Sequence, residues 1–210
     1  MMRIDSLASR PDRVGRHLVK FSDGTSMRLY RQTVEDFGLY TGMELSEEAF
    51  SELSKAAGIM SAKMRAVRIV AASNVSKADL QQRLLQKGES ATNAAQAVEW
   101  MDSLQLVDDE KTAAMLVQRS VAKGYGRTRA KQMLYEKRIP KELWDKALKD
   151  YPDQTDKILS FLRSRLGDDP EADQIKKAVD SLLRKGHSYS EIRCALSKLN
   201  ADCDSFQEDF

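Results

Sequence analysis

Cysteine is nearly missing from this 210-residue chain: Cys194 and Cys203 are the only two. That excludes a disulfide framework, and their spacing fits no zinc knuckle. Proline is scarce, at four residues, and aromatics make up only 7%, which argues against a sandwich of many short strands and for amphipathic helices. No apolar run is longer than the five residues Ala113 to Val117, whereas spanning a bilayer takes about 20. The start, Met1-Met2-Arg3-Ile4-Asp5, lacks the apolar core of a secretory signal. The expected location is the cytoplasm, with no membrane partner.

Nor does one sign of charge dominate, with 34 basic against 32 acidic residues. The balance is uneven along the chain: residues 1–60 sum to −1, residues 61–151 to +6 and residues 152–210 to −3. Within the middle, residues 119–149 hold ten Lys or Arg against three acids. A patch of that kind raises the local concentration of anions and suits phosphates or an acidic protein face. The residues expected to contact a partner or DNA are Arg119, Lys123, Tyr125, Arg127, Arg129, Lys131, Lys137 and Arg138. The competing reading is an ordinary solvated helix face.

What is abundant is repetition. A glycine-type break, a polar cap and an apolar pair four residues apart recur three times. The copies are Ser76, Leu80 and Leu84, closing at Gly88; Gly126, Ala130 and Leu134, closing at Lys137-Arg138-Ile139; and Ser188, Ile192 and Leu196, closing at Leu199-Asn200. Ser76 with Asp79 and Ser188 with Glu191 have the spacing of a capping box. Units of this kind stack into an array whose long face binds macromolecules. Before them, apolar and polar residues alternate on both sides of Ser22-Asp23-Gly24, the pattern of a hairpin over about 14–30. Ser46 is placed to cap a helix over about 47–57, which Gly58 should end.

The expected fold is therefore all-α, with tandem three-helix repeats in an elongated array and a small N-terminal β-hairpin. Its parts are an N-terminal region, 1–60; a first repeat, 61–107; a basic second repeat, 108–152; and a linking helix with a third repeat, 153–210, whose last helix is clipped at Phe210. The acidic pairs Asp108-Asp109 and Asp168-Asp169 are expected at helix N-termini, where negative charge is favoured.

Chemistry for an enzyme is not evident. His17 falls in a predicted strand and His187 at a helix junction, and no Ser or Cys sits in a nucleophile elbow. His187, Cys194 and Cys203 lie seven and nine residues apart, matching no standard metal-ligand pattern. Cys194, between Ile192 and Leu196, is expected as small core filler. Gly124-Tyr125-Gly126-Arg127 lacks the downstream residues of a phosphate loop. No cofactor and no metal are expected. Among the aromatics near the basic residues, Trp144 is expected in the core and Tyr125, at a junction, at the surface; Tyr135 completes the set.

Leu106-Val107-Asp108-Asp109, Lys123-Gly124-Tyr125-Gly126, Lys137-Arg138-Ile139 and Leu183 through Ile192 stand in an order and spacing that resemble the bacterial RecX regulatory proteins. The hairpin followed by Leu45-Ser46-Glu47-Glu48 resembles the same family's N-terminal region, so the likeness covers nearly the whole chain. It implies a modulator of the RecA recombinase that lies along the groove of the RecA filament on DNA and restrains its growth, ATP hydrolysis and strand exchange; a monomer without catalysis is expected. The alternative is a helical protein acting directly on single- or double-stranded DNA. Two positions depart from the family pattern. Arg138 stands where a helix-ending Gly is usual, at a position that prefers positive φ. Thr112 stands where an aromatic often follows the Asp pair, which is expected to loosen one core contact.

Overall fold

A computed structural model describes residues 1–167 and 170–207, with side-chain surroundings up to Leu199. Asp168-Asp169, Phe210 and the Cys203 side chain lie outside the described residues. The chain divides into two compact units, Met1–Val107 and Asp108–Phe210.

The first unit opens with the hairpin the alternation predicts, strands β2 (Arg16–Phe21) and β3 (Ser26–Tyr30), paired from Arg16 with Tyr30 to Lys20 with Ser26. Its turn is fixed by Gly24 at φ +83° and by Asp23, whose Oδ1 accepts from the backbone N–H and hydroxyl of Thr25. The hairpin does not stand alone. Strands β1 (Met2–Leu7) and β4 (Glu44–Leu45) extend it to a four-stranded antiparallel sheet in the order β3-β2-β1-β4. β1 carries a register shift between Ile4 and Ser6, which breaks the two-residue alternation that would have marked it as a strand. Helix α1 (Arg31–Asp36) follows β3. Ile4, Val19, Phe21, Leu29, Leu39, Leu45 and Leu53 form the sheet core.

The helix capped by Ser46 does not end at Gly58. It runs as α2 over Glu47–Ala72, 26 residues or about 39 Å, joining the sheet core at Leu53 to a helical core at Ala62 and Ala66. Gly58 has no need of positive φ here. Its missing side chain makes room for Asn93 of α4 (Ala91–Ser103), whose Nδ2 would lie 2.5 Å from an added Cβ. The glycine thus serves close helix packing rather than a helix stop. Helix α3 (Lys77–Gln86) starts at Ser76, whose hydroxyl accepts from the Asp79 N–H, and buries Leu80 and Leu84.

In the second unit, Asp108 caps α5 (Asp109–Ala122) by accepting from the Lys111 N–H. This charge-assisted bond, from donor to carboxylate, holds the Asp108 carboxyl below its usual range, chiefly through the Lys111 backbone. Thr112 is buried within α5. Helix α6 (Arg127–Glu136) follows, then a 3₁₀ turn (Lys141–Leu143) and the short α7 (Trp144–Leu148). Ala113, Val117, Ala130, Leu134, Ile139 and Leu148 form their shared core. Helices α8 (Thr155–Arg165), α9 (Ala172–Arg184) and α10 (Tyr189–Gln207) enclose another, built on Ile158, Leu162, Leu182, Ile192 and Ala195. Ser188 and Glu191 form the anticipated box: the Ser188 N–H donates to Glu191 Oε2 at 2.6 Å, and the Glu191 N–H to Ser188 Oγ at 3.2 Å. The expected helix end at Leu199-Asn200 is not there, because α10 continues through a glycine-free stretch to Gln207. Cys194 is exposed rather than core filler; Ile192 and Ala195 take the buried face of α10, leaving Cys194 about 100° away from Ala195 around the helix.

Six helix ends among the described residues share one geometry. After α1, α3, α4, α5, α6 and α9 the chain turns through a left-handed residue: Gly38, Gly88, Gln105, Gly124, Arg138 and Gly186. In each, the next N–H reaches back to the carbonyl five residues earlier, as Ile139 does to Leu134 and His187 to Leu182. This is the Schellman closure, which satisfies carbonyls left over at a helix end. Arg138, at φ +54°, occupies the glycine-type position the sequence indicates.

Two of these turns meet. The α6 N-terminus has no side-chain cap. Its first donors are taken by the other turn instead: the Gly126 N–H donates to Lys185 O at 2.9 Å and the Thr128 N–H to Gly186 O at 3.2 Å. A Cβ at Gly126 would strike the Gly186 carbonyl, and one at Gly186 would strike the backbone of Arg129. His187, only 4% exposed, places Nε2 3.0 Å from Gly124 O. Tyr151 donates its hydroxyl to Tyr125 O at 2.7 Å and meets Ser120 Oγ at 3.0 Å.

Replacing Gly126 by Ala should therefore cost about 2–3 kcal/mol through backbone overpacking, whereas Gly167→Ala, with open space around it, should stay within about 0.5 kcal/mol. Urea unfolding monitored by circular dichroism checks both. The His187 imidazole is held below its ordinary 6.5, foremost by desolvation, which outweighs the stabilising Gly124 bond and Glu191 charge. The folded state then binds fewer protons than the unfolded state between the depressed value and 6.5. Stability is fully present above pH 6.5 and is lost as pH falls through the folded value. His187→Gln, which keeps a donor, should flatten that part of the stability profile.

Candidate macromolecule interface

The eight basic and aromatic candidates all lie in the second unit on α5, α6 and their adjoining turns, but they do not form one face. Arg119 is in the last turn of α5 and Lys123 is its C-cap, four residues on, so the two share a side of that helix; both are exposed. The position suits them, since cations near a helix C-terminus complement its partial negative charge. Lys123 Nζ rests 5.8 Å from the ring centre of Tyr125.

Along α6, Arg127 and Lys131 are exposed at i and i+4 and Tyr135 continues the same flank at i+8. Tyr135 is 69% exposed, whereas Tyr125 is half-buried with its carbonyl held by Tyr151. The exposed aromatic beside the cations is thus Tyr135, reversing the expectation that Tyr125 is the surface member. Trp144 is half-buried against the α5–α6 core and donates Nε1 to Ile139 O at 3.0 Å, as expected of a core aromatic.

Arg129 separates from its sequence neighbours. Two residues after Arg127 it points about 200° around α6, toward the Gly186 turn, where its backbone is packed. It is half-buried and its Nη1 lies 3.4 Å from Glu136 Oε1. Lys137 and Arg138 sit in the turn closing α6, half-buried and exposed respectively, and both engage other groups. The cations that remain without an ion pair or side-chain hydrogen bond among the described residues are Arg119, Lys123, Arg127 and Lys131.

Neither histidine is placed for proton transfer. His17 Nδ1 lies 2.8 Å from Ala8 O and His187 Nε2 lies against Gly124 O, so each ring nitrogen facing a carbonyl must carry the proton. His187 Nδ1 is then the buried acceptor left without a partner. Among the described residues no group of three or more His, Cys, Asp or Glu is arranged to hold a metal ion. No described helix is long and apolar enough to cross a membrane. What the region offers chemically is a set of free cations with an exposed tyrosine, suited to binding.

Residues 108–148, which contain all of these candidates, match the family model described as RecX, second three-helix domain. Regulatory protein RecX of Streptococcus gordonii is 24% identical over 192 residues, covering 90% of this chain and 74% of that one. Regulatory protein RecX of Xanthomonas campestris pv. campestris is 29% identical over 134 residues, covering 62% of this chain and 83% of its own. In three dimensions, a crystal structure of regulatory protein RecX superposes with a TM-score of 0.65 at 20% identity, across 94% of this chain and all of the other. The matched second repeat, the relatives along most of the chain and the shared helical-repeat fold agree with one another: in each comparison the chain is similar to the RecX regulatory proteins.

Proposed function

We propose that this protein is a RecX-family regulator that binds the RecA recombinase filament and modulates it, mostly by inhibiting ATP hydrolysis, filament extension and strand exchange. It acts as a cytoplasmic monomer, without catalysis of its own. The observation that carries the reading is the exposed flank of α6, where Arg127, Lys131 and Tyr135 follow one another at helical spacing within the family-matched residues 108–148. Free cations beside an exposed aromatic suit an acidic protein groove, with the charges steering encounter and the aromatic supplying the anchor. Contacts from successive repeats can bridge neighbouring protomers, so that modest individual affinities multiply.

The direct test titrates the protein into DNA-dependent ATP hydrolysis by the cognate RecA. Inhibition is expected well below one molecule per RecA, and Arg127→Glu with Lys131→Glu should raise the half-inhibitory concentration at least tenfold, about 1.4 kcal/mol. Unchanged inhibition by that double variant would remove the α6 flank from the interface. No effect of the wild type on hydrolysis, alongside salt-dependent affinity for bare DNA, would favour direct action on DNA. Arg138 gives a separate test, because its left-handed backbone costs about 1 kcal/mol that glycine avoids. Arg138→Gly should raise the thermal midpoint while weakening inhibition; a more stable variant of full potency would show that the side chain takes no part.

A further inference from the structure

We infer that the α8–α9 cleft is a binding site for the phosphodiester backbone of single-stranded nucleic acid, distinct from the α6 flank and independent of the filament reading. The cleft, of about 350 Å³, lies between α8 and α9 and is lined by Phe161 and Arg165 on one side and by Lys177, Ser181 and Arg184 on the other. Lys177, Ser181 and Arg184 stand at i, i+4 and i+7, which aligns them along one side of α9 over about 10 Å. Arg165 faces them from α8.

The donors there are available. Among the described residues, Arg165, Arg184 and the Ser181 hydroxyl take no ion pair or side-chain hydrogen bond. Lys177 is held by Asp173 at 2.7 Å, but both side chains are more than 65% exposed, so the pair is weak and readily exchanged for another anion. Asp180 borders the same side of α9 and leaves Arg184 unpaired. Two guanidinium forks, an ammonium and a hydroxyl converging on one cleft are the donor set that phosphate oxygens accept.

The cleft favours a nucleic-acid strand over an acidic protein surface. Phe161, its one aromatic wall, has Lys185 Nζ 4.0 Å from its ring centre and the Arg165 guanidinium at 5.7 Å. The ring therefore positions cations instead of offering the apolar anchor on which protein interfaces depend. Two cations about 10 Å apart along α9, with a third facing them from α8, suit the repeated charges of a strand.

Fluorescence anisotropy of a labelled oligothymidylate with the full chain, across a salt series, tests the site. Arg165→Gln with Arg184→Gln should weaken binding roughly tenfold and reduce the log–log salt slope by about 1.4, two single-strand phosphate contacts. Asp173→Asn, by releasing Lys177, should tighten binding. Both are surface changes, and circular dichroism verifies that the variants fold. Unchanged affinity and slope in the double variant, no gain with Asp173→Asn, or an absence of salt-dependent binding by the wild type would each overturn the assignment. Displacement of the oligonucleotide by polyglutamate at lower concentration than by unlabelled oligothymidylate would overturn it in favour of an acidic protein partner.

Discussion

One backbone event recurs through the helical part of this molecule, and the rest is arranged around it: a residue in the left-handed conformation immediately after a helix. It returns two N–H groups to carbonyls that the helix leaves unsatisfied, and it turns the chain sharply enough for the following helix to pack back on the preceding one. At Gly88 and Arg138 it closes the middle helix of a repeat, and at Gly124 and Gly186 it opens the way into one. The buried apolar pairs Leu80–Leu84 and Ala130–Leu134 reach their cores because these turns fix where each helix begins and ends.

The glycines at the meeting of two such turns have different physical reasons. Gly186 needs both its positive φ and its missing side chain, whereas Gly126, at φ −79°, needs only the space. Residues in matching turn positions also diverge. Tyr125 and His187 each follow a left-handed glycine, yet Tyr125 offers its carbonyl to Tyr151 while His187 turns its ring inward to Gly124. A repeat in sequence is thus a repeat of backbone, with the side chains free to specialise.

The features legible in the sequence were those set by local chemistry. Polar caps, the Asp-Gly turn and the left-handed Arg138 each follow from a few adjacent residues. Gly58 misled because a glycine at a helix end and one at a helix crossing look alike until the partner, Asn93, is known. β1 escaped notice because its strand character rests on partners 12 to 43 residues away and on an irregular register at Ile4. Charge counts along the chain were coarser still. They grouped Arg127 with Arg129, which helical geometry sets on different sides, and the net −3 of residues 152–210 concealed Arg165, Lys177 and Arg184 lining one cleft.

The uncapped start of α6 bears on how such proteins can change over evolutionary time. A helix that carries its own Ser or Asp cap can be copied, moved or lost with its repeat, because its first donors are satisfied from within. α6 instead draws on the carbonyls of Lys185 and Gly186, nearly sixty residues downstream. Deleting the downstream helices would orphan those donors, and inserting a new repeat between the two would require it to present a glycine turn in the same place. The periodicity looks modular, but this junction ties the two repeats into a single heritable unit.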